Sequence, residues 1–335
     1  MAITLKDVAE RAGVSRAAVS RSYTDGASVS VKTRAKVERA ATELGYTPNM
    51  LARSLTTRRT QLIGLVSNNF HNPVFLQIFD LFTRGLQEKG LRPLLVNLSD
   101  ETDPGRSVDL LRQYSVDGVI VASSHVPDGF ARAFRDAGIP VVHAFGRAVA
   151  CPDVHVVAID NVNAGRMAAD TLIARGYREI GFLGGPERAS TSQDRLAGFM
   201  TAASTRADVT ATASFAGAYS FEAGFATMRH LLASGPAEAY FLGDDVLSIG
   251  ALCAARAAGV LVPQDLGIIG LNDMEMAGWA HFDLTTIHQP FKAIVQSSID
   301  LMVASFADPG RLPEARIHPC HIVERATLRP LPSPG

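Results

Sequence analysis

Thr4-Leu5-Lys6-Asp7-Val8-Ala9-Glu10-Arg11-Ala12-Gly13-Val14-Ser15-Arg16-Ala17-Ala18-Val19-Ser20-Arg21 decides the fold of the N-terminus. Thr4 with Asp7 three residues on has the pattern of a capping box, opening a helix through Leu5, Val8, Ala9 and Ala12. Gly13 ends that helix, because it takes the left-handed backbone that a C-cap requires. Ser15 caps a second helix from Arg16 to about Tyr23, with Val19 facing inward. Helix, tight turn, helix is a helix-turn-helix. A third helix is predicted from near Ser30 to Leu44, with Val37, Ala40, Ala41 and Leu44 on one face and Gly45 at its end.

Charge agrees with that reading. Residues 1–60 carry 11 Lys and Arg against 5 Asp and Glu, whereas the remaining 275 residues carry 21 against 28. A basic module on a mildly acidic body is the footprint of a nucleic-acid reader. In a helix-turn-helix the second helix enters the major groove, which places Arg16, Ala17 and Arg21 at base edges with Ser20 nearby. The Arg16 guanidinium matches guanine O6 and N7, and the Ala17 methyl matches thymine. Ser15, Ser20, Ser22, Thr33 and Lys36 suit phosphates, which position without specifying. The plainer reading is a three-helix protein-binding module with a solvated basic face.

Asn49-Met50-Leu51-Ala52-Arg53-Ser54-Leu55 is long enough for about two helical turns capped at Asn49. Leu51 and Leu55 form an apolar ridge beside Arg53, a combination that fits a minor groove being wedged open. The alternative is an ordinary linker whose leucines touch the body.

Thr4-Leu5-Lys6-Asp7-Val8-Ala9, Ala12-Gly13-Val14-Ser15, Val19-Ser20-Arg21, Leu44-Gly45-Tyr46-Thr47-Pro48-Asn49 and Ala52-Arg53-Ser54-Leu55 together resemble the LacI/GalR family of bacterial transcription regulators. The resemblance extends over essentially the whole chain. It implies an α/β protein: an N-terminal helix-turn-helix domain plus a two-lobed, periplasmic-binding-protein-like effector domain with parallel sheets. It implies a hinge helix that folds when two subunits meet on a near-palindromic operator in double-stranded DNA, with Leu55 driven into the central base step. Asn49, Ala52 and Arg53 belong to that hinge, and Arg16 and Ala17 match the family's specificity pair. The expected domains are 1–47, a hinge and linker at 48–60, and an effector-binding and dimerisation domain at 61–335.

The body itself alternates apolar strands with helices. Strands are predicted at Leu62–Val66, Leu94–Asn97, Gly118–Val121, Val141–Ala144, Val154–Ile159, Ile180–Leu183, Tyr240–Leu242 and Ile268–Leu271. That rhythm argues for parallel sheets covered by helices on both faces, and the length for two lobes with a cleft. Crossovers are expected near Ala158–Asn161, Leu284–Gln289 and Ile317–Ile322, giving lobes of about 61–159 with 288–320 and 160–287 with 321–330.

Cleft residues are expected at strand ends. After the first strand, Asn69, His71, Asn72 and Phe75 match the family's asparagine-proline-aromatic loop. His71 and Asn72 suit ligand hydroxyls, and Phe75 either stacks on a ring or packs in the core. By resemblance Arg195 binds effector oxygens, with a surface arginine as the alternative, and Tyr219 stacks on the effector; Thr191 joins the same candidate set. Asp244 and Asn272 depart from the family pattern: a carboxylate replaces a small polar residue, and an amide replaces a common aspartate. A carboxylate accepts two hydrogen bonds from a vicinal diol, which favours a neutral polyhydroxylated ligand. Trp279 and Gln289 complete the candidates.

Cys151, Cys253 and Cys320 are isolated, so no metal site or disulfide is expected. Gly184-Gly185-Pro186 lacks the Lys and Ser/Thr of a phosphate loop, and no nucleophile elbow, kinase signature or dinucleotide fingerprint occurs. The expectation is therefore no enzyme, no cofactor and no membrane span. The opening residues read as a helix cap with no signal peptide, which predicts a cytoplasmic protein. The C-terminus lacks a leucine heptad, which predicts a homodimer without a tetramer-forming helix. The leading reading is a repressor of carbohydrate-metabolism genes controlled by a sugar, polyol or sugar acid in the cleft; competing function classes are a sugar-binding or enzymatic module whose N-terminal helices only dimerise, a regulator with a purine-type corepressor, and an effector-free architectural protein.

Overall fold

Apolar runs bounded by glycine and polar residues become strands buried on both faces, and these build two parallel sheets. A computed structural model describes residues 3–23, 27–47, 59–68, 70–98, 103–123, 126, 129–147 and 149–332. The chain divides into two compact units, Met1–Thr60 and Gln61–Gly335.

In the first unit α1 (Leu5–Ala12), α2 (Arg16–Ser22) and α3 (Val31–Leu44) close over Val8, Ala9, Val19, Val37, Ala40 and Ala41. The Asp7 carboxylate accepts the Thr4 N–H and hydroxyl, each at 2.8 Å. Gly13 and Gly45 take left-handed φ values of 65° and 66° at the two helix ends. One expectation fails. Ser22 is buried, its hydroxyl donates to the Ala18 carbonyl and its own carbonyl takes Arg34 Nη1, so it faces the helix packing and no phosphate. The expected hinge, with Asn49, Ala52, Arg53 and Leu55, lies outside the described residues, as does Asn69.

The second unit opens with β1 (Leu62–Ser67), α4 (Val74–Glu88), β2 (Arg92–Asn97), α5 (Pro104–Gln113), β3 (Gly118–Ala122), α6 (Phe130–Asp136), β4 (Val141–Ala144) and β5 (His155–Ile159). The chain then builds α7 (Asn161–Ala174), β6 (Glu179–Gly184), α8 (Ser190–Ser204), β7 (Thr210–Phe215), α9 (Phe221–Ser234), β8 (Ala239–Leu242), α10 (Asp245–Ala257), β9 (Gly267–Asn272) and β10 (Thr286–His288). It ends with α11 (Phe291–Ala307), β11 (Ala315–His318) and β12 (His321–Val323). The first sheet runs β11-β5-β4-β3-β1-β2 and the second β12-β10-β9-β8-β6-β7, all parallel except the β10–β12 pair. The chain passes between the sheets after β5, after β10, where α11 returns to pack on α4, β4 and β5, and again between β11 and β12.

β10, β11 and β12 form at or beside the expected crossovers, where the sequence reading has no strand, and two further strands differ from that reading. β2 begins at Arg92 because Pro93 is tolerated on an edge, where its missing N–H costs no ladder bond. β7 is an edge strand of alternating Thr and Ala with no apolar run to announce it. Among the described residues no helix is long and apolar enough to cross a membrane, and no group of three or more His, Cys, Asp or Glu could hold a metal.

Candidate functional site

On α2 the side chains of Ser15, Arg16, Ala17, Ser20 and Arg21 are exposed, while Val19 and Ser22 are buried beneath them. Burial of one face against α1 and α3 leaves the opposite face to carry recognition chemistry. Ser15 is the N-cap, its Oγ accepting from the Ala18 N–H at 3.2 Å. Arg21 Nε donates to the Ala17 carbonyl at 3.3 Å, whereas Arg16 projects from the first turn. Basic groups and a methyl on a helix N-terminal turn suit a major groove.

The body holds a cavity of about 490 Å³, counting its mouth, between the carboxyl ends of the two sheets. Asn72, Phe75 and Phe145 line it from the first sheet's side, and Arg195, Tyr219, Asp244 and Asn272 from the second. Gln289 and Phe291 reach it from the second crossing.

Helix packing places the polar groups. A Cβ on Gly165 would lie 1.9 Å from the Arg195 carbonyl oxygen, and one on Gly198 would lie 1.8 Å from that of Val162. Only hydrogens at these two positions let α7 and α8 lie flush. Arg195 Nε then donates to Asn161 Oδ1 and its Nη1 to the Gly243 carbonyl, both at 2.7 Å. Gly224 and Gly250 let α9 meet α10 in the same way. Gly185 and Gly243 leave room for the Tyr219 ring, where a Cβ would fall 2.4 and 3.0 Å from it. The Tyr219 hydroxyl pairs with Ser192 Oγ at 2.7 Å. This is the structural use of the Gly184-Gly185-Pro186 turn.

Asp244 caps α10, accepting the Leu247 N–H at 2.8 Å on Oδ1, while Oδ2 accepts Asn72 Nδ2 at 2.6 Å. Burial pushes its pKa up to about 6, against the opposing pull of the Leu247 and Asn72 hydrogen bonds and the Arg195 charge. The adjacent Asp245 points away from the cavity. It accepts from the Met274 N–H at 2.8 Å and the Thr286 hydroxyl at 2.5 Å, tying α10 to the ends of β9 and β10. Burial pushes its pKa up to about 7, and the Asp244 charge adds to that. Asn272 and Gln289 are buried, and among the described residues nothing hydrogen-bonds their side-chain amides.

Seven of the residues singled out in the sequence thus meet in one cavity: Asn72, Phe75, Arg195, Tyr219, Asp244, Asn272 and Gln289. Three do not line it. His71 is exposed on the loop before α4, because Asn72 next to it turns inward. Thr191 is buried within α8, one turn before Arg195. Trp279 is 51% exposed, since the turn that brings the Phe282 and Asp283 N–H groups onto its carbonyl leaves the indole outside. Asn161, Phe145 and Phe291 line the cavity without being expected there. Asn161 has a weak signal in the sequence, lying at a strand end next to a crossing; Phe145, at φ 65°, and Phe291 have none.

Comparison with known proteins adds independent findings. Residues 4–49 match the family model described as bacterial regulatory proteins, lacI family, and residues 169–328 match the periplasmic binding protein-like domain. The chain is 33% identical over 333 residues to the HTH-type transcriptional regulator CelR of Thermobifida fusca, covering 96% of this chain and 97% of that one. It is also 33% identical over 332 residues to the HTH-type transcriptional repressor PurR of Escherichia coli O1:K1 / APEC, covering 97% and 96%. Among solved structures, a CelR–cellobiose complex aligns with TM-score 0.72 at 32% identity over 97% of this chain and 99% of that one. The Lac repressor dimer bound to operator and the anti-inducer ONPF aligns with TM-score 0.87 at 27% identity over 98% and 99%.

Proposed function

Because the chain belongs to the lacI family of bacterial regulatory proteins, we propose that it represses carbohydrate-metabolism genes and that a neutral sugar or polyol in the cavity controls its grip on operator DNA. Sequence-specific DNA binding falls to the exposed face of α2, with Arg16, Ala17 and Arg21 at base edges and Ser15 and Ser20 at phosphates. The hinge at 48–60 supplies the minor-groove contact through Asn49, Ala52, Arg53 and Leu55, a role taken from the family resemblance. The protein acts as a homodimer on a near-palindrome, since two-fold symmetry presents two equivalent helices. A solved relative described as a repressor dimer on operator supports this assembly.

One observation carries the effector class: a buried carboxylate and a buried guanidinium share a cavity with aromatic rings and uncommitted amides. Asp244 repels an anionic ligand and accepts hydroxyl donors. Arg195 has committed Nε and Nη1 to Asn161 and Gly243, so its fork is not open for a bidentate grip on a ligand carboxylate. Sugar acids are disfavoured on both counts. Identity is equal to CelR and to PurR, so overall similarity does not choose between sugar and purine. The cavity chemistry, together with the cellobiose bound to the CelR relative, supports the sugar. A thermal-shift screen tests this, because a cavity ligand raises Tm by mass action. Neutral sugars or polyols are expected to raise it and sugar acids are not. A rise with purines alone would replace the effector class.

A further inference from the structure

Among the described residues, side-chain hydrogen bonds join the two lobes of the body at two points beside the cavity. The inner one is the Asn72–Asp244 hydrogen bond, between groups that also line the cavity. The outer one lies beyond the lining. Arg147, three residues past the end of β4, grips Asp194 on α8 with Nη2–Oδ1 at 2.6 Å and Nε–Oδ2 at 3.1 Å. Two parallel N–H···O bonds to one carboxylate are the strong form of an ion pair. The Asp194 side chain is only 12% exposed, although that of Arg147 is 56% exposed. A two-pronged pair with one sheltered partner holds better than an open surface bridge, while remaining sensitive to salt.

The position of the outer pair gives it a distinct consequence. Phe145 and Arg195, within two residues of Arg147 and Asp194 along the chain, line the cavity, but neither member of the pair does. A ligand that competes for Asn72 or Asp244 displaces the inner contact and leaves the outer one intact. We propose that the Arg147–Asp194 pair is a latch that holds the lobes together independently of ligand and so sets how much of the switch remains for a ligand to throw. The consequence for regulation rests on the cavity being the effector site. Apparent ligand affinity scales with the fraction of protein already in the binding-competent state, so a strong latch tightens ligand binding while reducing the size of the response.

The latch is testable with no ligand added. Spin labels at Lys89 and Ser234, exposed at the ends of α4 and α9, report lobe spacing by pulsed electron paramagnetic resonance once Cys151, Cys253 and Cys320 are replaced by serine. With labelled chains diluted into excess unlabelled chain, the parent should give one dominant distance. Arg147→Ala and Asp194→Asn should each populate a second distance, shifting the closed-to-open ratio on the order of tenfold. Exchanging the charges, Arg147→Asp with Asp194→Arg, should restore the parent distribution. Unchanged distributions in both single variants would overturn the latch. Should a single variant fail to fold, the exchanged variant decides: a folded protein with the parent distribution supports the latch, and one lacking it refutes the latch. Because no ligand is present, a cavity that bound no sugar would leave this result unaffected.

Discussion

The face of α2 and the cavity of the body display polar chemistry in opposite ways. Ser15, Arg16, Ala17, Ser20 and Arg21 stand exposed on a helix whose other side makes the core contact. Asn72, Arg195, Asp244 and Gln289 are at most 5% exposed, and the first three are engaged with protein partners. Recognition on α2 is therefore separable from folding, since an exposed side chain can change without a packing penalty. In the cavity the same atoms serve binding and stability, so a change there alters both. Substitutions in each region should expose that contrast.

The largest effect is expected at the helix contact beneath the cavity. Gly198→Val places carbon against the Val162 carbonyl and should cost the body at least about 3 kcal/mol. Urea melts of the full chain check this, with the N-terminal helices expected to keep their own transition. A wild-type melt would mean that α7 and α8 are not held in contact.

A smaller effect, with a pH signature, is expected at Asp244. Its pKa is raised from 3.8 to about 6 in the fold, so its protonated form favours folding. That contribution is full below pH 3.8 and is lost as the pH rises through about 6. At pH 7.5 the buried charge costs roughly 2–3 kcal/mol by the same linkage. Asp244→Asn keeps an α10 cap acceptor and removes the charge but gives up the acceptor for Asn72 Nδ2, so its stability relative to wild type should be greater at pH 7.5 than at pH 4. Paired melts at the two pH values measure the difference. A stability difference independent of pH would contradict burial as its cause.

The smallest effect on stability belongs to α2. Arg16→Ala should leave the melt within about 0.5 kcal/mol of wild type, yet lose roughly 1–3 kcal/mol on the cognate operator and less on a scrambled duplex. Equal losses on both duplexes would reassign Arg16 to a phosphate.

These two regions also differ in how far a sequence discloses them. α1, α2 and α3 follow from caps, glycines and a 3.6-residue apolar period, all local along the chain. Ser22 misleads because its polarity suggests a phosphate contact, whereas its position on α2 puts it on the buried face. Buried strands such as β3 and β5 announce themselves as short apolar runs, whereas the edge strand β7, half exposed and rich in Thr and Ala, does not. In the cavity, Arg195 is legible through the family resemblance, and Asp244 through its place just after a strand end, where it departs from the family pattern. Asn161 is announced only by its place at a strand end, and its bond with Arg195 depends on Gly165 and Gly198 letting two helices touch, a tertiary fact that no window of sequence contains. Trp279 and His71 show the converse: a promising residue type beside the right loop still depends on which way the backbone turns it.

Control of operator binding through the cavity is tested most directly by titrating the best-stabilising neutral sugar or polyol against the operator complex of wild type and Arg195→Ala side by side. The substitution leaves Asn161 Oδ1 and the Gly243 carbonyl without their donor, so some loss of stability, about 1–3 kcal/mol, should accompany it. Wild type should release operator as the ligand is added, and Arg195→Ala should bind operator with unchanged affinity and ignore the ligand. A variant that responds like wild type, or a wild type that holds operator equally well at every ligand concentration, would contradict the account.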